Sequence, residues 1–294
     1  MKRRKTTALL TLLSITISIS LLLCVDIVRS QVKTSFTRTV SGVDLIVGAP
    51  SGQLNLLLSS VFNIGTPTKG IDYKSVASLK SNKQVSWLIP LSLGDTHRGF
   101  RVIGTTNRFF EHFKYGDKQA LALTEGRVFE QPLSTVVGAD VADSLGYTVG
   151  DKIIVSHGLG SVSFNNHDDH PFIISGILEK TGTPVDKAVY VTLQGLEKAH
   201  SGPKSAHTSR LRKKTAFLNG HSTNEHEHEH EEPTQDNYDS DAFTPESVSV
   251  VMLGLKNRAA ALQLQYQINQ SKKEPLMAIL PGMALAELWQ IMGN

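Results

Sequence analysis

The chain of 294 residues is 40% hydrophobic and 19% charged, which excludes a small stapled peptide and a wholly disordered polymer and fits one or two globular domains. Its 30 Lys and Arg against 27 Asp and Glu leave a net charge of +3, too small to direct it to nucleic acid, and no nucleic-acid partner is expected. The single cysteine, Cys24, excludes an intramolecular disulfide and any four-cysteine zinc or iron–sulfur site.

Two segments depart from the average. Lys2, Arg3, Arg4 and Lys5 open the chain, and residues 221–246 carry six Glu and three Asp with no Lys or Arg. Thr6 to Val25 follows the basic tip as 20 uncharged residues. A helix there, at about 1.5 Å per residue, spans about 30 Å, the thickness of a bilayer core. The basic tip places the N-terminus in the cytoplasm and everything beyond Asp26 on the outer side. A cleaved signal peptide is the rival reading. Against it, the apolar run exceeds the usual h-region of about 7–15 residues, and no small-x-small site closes it before Asp26. Leu23 is too large for a lipobox, so Cys24 reads as a free thiol in the membrane.

Beyond a Ser/Thr-rich stalk, Asp44 to Gly48 is predicted as a buried strand ended by a Pro/Gly turn at Ala49 to Gly52. Leu54, Leu57, Leu58 and Val61 recur at helical spacing. A second short helix is expected over Asp72 to Lys80. Val85 to Leu93 and Gly99 to Gly104 are predicted as paired strands across a turn at Gly94-Asp95-Thr96-His97. Short apolar runs alternating with Gly and Asp then predict strands at Thr135 to Gly138, Lys152 to Ser156, Ser161 to Phe164, Phe172 to Leu178 and Ala188 to Leu193. Between the first two, Asp140 to Gly146 reads as a capped helix. Residues 201–246 lack hydrophobic periodicity and read as a long exposed loop. A strand at Ser247 to Leu255, a helix at Asn257 to Gln270, a strand at Leu276 to Leu280 and an amphipathic helix with Leu285, Leu288, Trp289 and Met292 complete the chain.

Three segments carry a resemblance: Val136-Val137-Gly138-Ala139-Asp140; Leu145-Gly146-Tyr147-Thr148-Val149-Gly150-Asp151 with the strand Lys152-Ile153-Ile154-Val155; and Phe172-Ile173-Ile174-Ser175-Gly176-Ile177-Leu178. Together they resemble the MacB-like periplasmic core domain of FtsX-type ABC transporter permeases. Ser41-Gly42-Val43-Asp44-Leu45-Ile46-Val47-Gly48-Ala49, the segment Pro90 to Phe100, and Thr181-Gly182-Thr183-Pro184-Val185-Asp186 are similar to a bacterial subgroup of those permeases. The resemblance implies an α+β fold: one N-terminal transmembrane helix, then a two-lobe periplasmic domain, a βαββαβ-like lobe with an inserted β-rich lobe. On that pattern residues 1–28 are the basic tip and anchor, 29–106 the first part of the core lobe, 107–200 the inserted lobe, 201–246 the His/Glu-rich loop and 247–294 the second part of the core lobe. The family carries four membrane helices; the second to fourth are expected beyond Asn294 if the chain is a fragment, and are lacking if it is a single-pass remnant.

The resemblance further implies a permease component in the bacterial inner membrane. An ABC ATPase subunit, a second permease copy or homologue, a periplasmic or outer-membrane partner and membrane lipid are its expected partners. The chain contains no Gly-x-x-x-x-Gly-Lys-[Ser/Thr] loop and no Gly-x-Ser-x-Gly elbow, so ATP hydrolysis is assigned to the partner and no catalytic or cofactor-binding residue is expected. The alternative is a membrane-anchored zinc-binding or interaction module. Its candidate ligands are His221, His226, His228, His230, Glu227 and Glu229, since imidazoles and carboxylates suit zinc; the bland reading is a solvated low-complexity tract. His167-Asp168-Asp169-His170 reads as a hairpin tip, Asp95, His97 and Arg98 as a hydrogen-bonded corner, Asp186 as a rigid turn, and Arg210 to Lys214 as a solvated basic run.

Overall fold

A computed structural model describes residues 2–39, 41–65, 69–157, 171–200, 238–271 and 274–292. In chain order these give α1 (Lys2–Arg38), β1 (Leu45–Gly48), α2 (Gln53–Val61), β2 (Ile71–Asp72), α3 (Tyr73–Lys80), β3 (Val85–His97), β4 (Phe100–Thr105), α4 (Arg108–His112), β5 (Lys114–Tyr115), β6 (Gln119–Ala120) and β7 (Leu123–Gly126). They continue with β8 (Ser134–Val137), α5 (Ala139–Leu145), β9 (Lys152–Ile153), β10 (Ser156–His157), β11 (Phe172–Leu178), β12 (Ala188–Thr192) and α6 (Leu193–His200). After the long acidic segment come β13 (Ser247–Val248), β14 (Val250–Leu255), α7 (Ala261–Asn269), β15 (Met277–Ile279) and α8 (Pro281–Met292).

One mixed sheet runs through the domain, ordered β15-β1-β14-β3-β4-β12-β8-β11-β7, with β10 added to β3 and β9 to β11. The long strand β3 is the reason. Its first half, Val85 to Leu91, pairs with β14, and its second half, from Ser92 to His97, pairs with β4. Only β12 with β4 and β8 with β11 run parallel among these pairings.

Strand alternation sorts the core by face. Ile46, Ile89, Leu91, Ile103, Val136, Tyr190 and Met252 point into one continuous apolar layer under α2, α4 and α8. Their neighbours point the other way. Leu45, Val47, Leu88, Val251 and Leu253 meet α3 and α7, while Val102, Val137, Val189 and Val191 meet α5 and α6. In β11 a register shift between Ile174 and Gly176 moves the strand from one layer to the other: Phe172 and Ile174 face α5, and Leu178 faces the α4 side. Tyr190 anchors the shared layer, stacking on Phe109 at 4.8 Å between ring centroids and meeting Phe110 edge-on at 5.8 Å. Its burial drives the phenol far above its ordinary range.

Most expected elements form where the periodicity puts them. Asp72 caps α3 by accepting from the Lys74 N–H, and Gly146 ends α5 in the left-handed conformation. Four readings are corrected. The β3–β4 turn is Arg98-Gly99, not residues 94–97; both turn residues have positive φ, 46° and 89°, the handedness a two-residue hairpin needs. Gly94 instead marks a bulge, and Asp95, Thr96 and His97 are buried strand residues. The strand expected over Lys152 to Ser156 divides, β9 joining β11 and β10 joining β3. Asp140 lies in the first turn of α5, whose cap position is Gly138, and Leu193 opens α6 instead of closing β12. The strand expected at Ser161 to Phe164 lies outside the described residues.

Candidate functional site

The first feature is a candidate membrane span. Leu9–Val28 is long and apolar enough to cross a membrane, and its side chains are exposed along the whole stretch. The helix does not stop at Val28; α1 continues unbroken to Arg38, about 15 Å further at the rise of an α-helix. The chain that leaves it is clamped at two places. The Ser41 N–H donates to the Lys114 carbonyl at 3.0 Å. Asp44 accepts from the Leu255 N–H at 2.7 Å and pairs with Arg258 at 3.2 Å. From there β1 lies between β14 and β15, and α8 adjoins α1.

A cleft of about 680 Å³ opens beside this exit, between the segment after α2 and the turn before β12. Thr39, Ile64, Phe100, Arg101, Lys180 and Lys187 are among the residues lining it. The turn Thr181 to Asp186 is fixed by one buried carboxylate. Asp186, 1% exposed, accepts from the Thr181 N–H at 2.9 Å, the Thr181 hydroxyl at 2.7 Å and the Gly182 N–H at 2.7 Å. A short 3₁₀ turn, Pro184–Lys187, follows, with Thr183 capping it. Two hydrogen bonds tie the far wall to this side: the Asn63 side-chain amide donates to the Pro184 carbonyl at 3.4 Å, and Arg101 donates to the Gly65 carbonyl at 2.8 Å. Lys180 pairs with Asp140 at 3.2 Å, and that bond raises the lysine pKa.

The expected corner at Asp95, His97 and Arg98 is present in another form, as a buried network beneath the hairpin tip. Asp95 pairs with His200, the last residue of α6, at 3.1 Å. His97 meets the Ile154 carbonyl through Nδ1 at 2.7 Å and the Tyr147 hydroxyl through Nε2 at 2.8 Å. A carbonyl only accepts, so Nδ1 carries the hydrogen and Nε2 accepts from the phenol. Burial holds the imidazole pKa below its usual value, with Arg98 acting in the same direction. Arg98 lies 6.0 Å from the Tyr147 ring centroid, in cation–π range. With both ring nitrogens engaged, His97 ties the hairpin to the α5–β9 region and presents no free base for chemistry.

Among the described residues, no group of three or more His, Cys, Asp or Glu is arranged to hold a metal ion. The candidate zinc ligands His221, His226, Glu227, His228, Glu229 and His230 lie outside the described residues, as do His167 to His170 and Arg210 to Lys214. Tyr147, His200, Asn63 and Arg101 went unread in the sequence because each acts through a partner at least 36 residues away.

No curated protein sequence matches the chain. Among solved structures it is similar to the periplasmic region of MacB from Actinobacillus actinomycetemcomitans, at 9% identity and a TM-score of 0.47, covering 87% of this chain and 95% of that one. It is also similar to the extracellular domain of the noncanonic ABC-type transporter YknZ from Gram-positive bacteria, at 12% identity and a TM-score of 0.38, covering 81% of this chain and 99% of that one. The family model for the MacB-like periplasmic core domain matches residues 8–218, more than two thirds of the sequence. The chain therefore belongs to the MacB-like periplasmic core domain family of ABC transporter permeases.

Proposed function

We propose that the chain is a permease component whose extracytoplasmic domain relays ATPase-driven motion from the bacterial inner membrane to a periplasmic or outer-membrane partner. Its N-terminus is cytoplasmic, it works beside a second permease copy or homologue, and ATP is hydrolysed in a partner subunit. One observation carries the reading. The candidate membrane helix runs without a break to Arg38, and within a few residues the chain is bonded at Lys114 and Leu255 and enters a strand held on both sides. A helix hydrogen-bonded along its length resists bending, so displacement at the membrane reaches the sheet rather than dissipating in a linker.

The test is a break in the lever. Three glycines inserted between Gln31 and Val32 should leave the protein in the membrane fraction and leave the co-purifying ATPase active, while breaking the helix. Spin labels at Lys152 of two permease copies should report a nucleotide-dependent distance change in the unbroken protein and none in the insertion variant. Absence of that change in the unbroken protein defeats the relay. An impermeant maleimide reaching a cysteine at Lys152 only after permeabilisation defeats the orientation.

A further inference from the structure

We propose that the cleft beside the end of α1 binds a single-chain amphiphile with one anionic head group, outside the bilayer. Its volume of about 680 Å³ falls within the range of small-molecule sites. Its lining divides into two kinds of surface. Phe62, Ile64, Phe100 and Pro184 supply an apolar wall, and Ile64 stands 54% exposed at its edge. An alkyl chain laid there removes that apolar surface from water, the main source of affinity in such sites.

The charges select the head group. Lys180 and Asp140 neutralise one another at 3.2 Å, and the Asp186 carboxylate is filled by the N–H and hydroxyl donors of its own turn. Arg101 and Lys187 remain, and the lining as a whole carries one excess positive charge. Arg101 spends one N–H on the Gly65 carbonyl, which orients the guanidinium, and Lys187 is exposed with no ion pair among the described residues. A carboxylate or phosphate completes such a pair of donors; a cationic amphiphile meets repulsion instead.

The position of the cleft decides the source. Thr39, the residue just past the end of α1, lines it eleven residues beyond Val28, so it stands about 16 Å past the apolar span. The head-group layer on each side of a bilayer is about 5–8 Å deep. The occupant is therefore a molecule that has left the membrane, not a lipid still embedded in it. The occupant bridges the 62–65 segment and the 181–187 turn, so it acts on the same contact that Asn63 and Pro184 make.

The experiment uses the full chain in phosphatidylcholine nanodiscs, a photoreactive laurate analogue, and mass-spectrometric mapping of the adducts. The site predicts adducts in 62–65, 99–101 and 181–187, suppressed by dodecyl phosphate and not by dodecyltrimethylammonium. Lys187→Glu, at an exposed position, should cut labelling roughly ten-fold without moving the thermal midpoint, and Arg101→Gln should do the same to labelling. Adducts confined to Leu9–Val28, equal competition by the cation, or undiminished labelling in Lys187→Glu would overturn the site. Stronger labelling of the cleft when the photoreactive group is carried by a phospholipid of the disc would overturn the assignment to a free amphiphile. No ATPase takes part, so the outcome is independent of the relay.

Discussion

The phenol of Tyr147 donates to Nε2 of His97 at 2.8 Å, while the other ring nitrogen gives its hydrogen to the Ile154 carbonyl. This arrangement needs a neutral imidazole, and burial enforces it by holding the folded-state pKa below the ordinary 6.5. The unfolded chain therefore binds a proton at His97 more readily than the folded one. The stability His97 contributes is complete above about pH 6.5 and is lost as pH falls through the lower folded-state value. Thermal midpoints at pH 7.5 and pH 5 should show a larger fall for the wild type than for His97→Gln. The amide keeps a donor for Ile154 but does not titrate. Equal falls in the two proteins would refute the role.

Asp186 is the second buried group whose removal has a defined cost. Its carboxylate satisfies the N–H groups of Thr181 and Gly182 in a turn that solvent barely reaches. Asp186→Ala leaves those donors without an acceptor, at about 2–4 kcal/mol in total. The denaturant midpoint should drop accordingly, and the near-ultraviolet circular dichroism should weaken, because Tyr190 bonds the Val185 carbonyl beside this turn at 3.4 Å. Asp186→Asn retains one acceptor oxygen and should cost less. A midpoint unchanged in the alanine variant would show the turn to be held by its neighbours alone.

β1, β12 and β14 were legible as short continuous apolar runs, because both faces of the sheet are covered and nearly every position along these strands is buried. The caps of α3 and α5 were legible for the same local reason: Asp72 and Gly146 act within their own turns. The hairpin tip was not. Gly94-Asp95-Thr96-His97 has the composition of a turn, yet Asp95 and His97 are buried because His200, Tyr147 and Ile154 satisfy them from 50 to 105 residues away. The cleft was invisible on the same grounds, since its walls come from the end of α1, the segment after α2, β4, α5 and the turn before β12.

Zinc binding by His221, His226, His228 and His230 with Glu227 and Glu229 stands on the sequence alone, and solution chemistry can decide it. Ligation by imidazole releases protons near neutral pH. Titrating zinc into a peptide of residues 219–234 at pH 7.5 should produce heat that changes with the ionisation enthalpy of the buffer, with micromolar affinity. A silent titration would leave the tract as a solvated acidic loop.

Gly138 and Gly282 separate close approach from backbone freedom. Gly138 has φ −68° and ψ 155°, a conformation open to any residue, so alanine there meets no torsional penalty. It meets atoms: a Cβ would lie 2.4 Å from the Asp186 carbonyl oxygen and 2.5 Å from that of Val185, both main-chain and both fixed by the buried turn. Gly138→Ala should therefore cost about 1–3 kcal/mol by overpacking, and the damage should appear at the turn rather than in α5. Gly282, near the start of α8, has nothing within 4 Å of the added carbon. Gly282→Ala should leave the thermal midpoint unchanged or raise it, by up to about 1 kcal/mol of helix propensity. Similar losses in both variants would mean that α8 itself needs the glycine. A harmless Gly138→Ala would mean that the Asp186 turn yields, and with it the rigid wall on which the cleft depends.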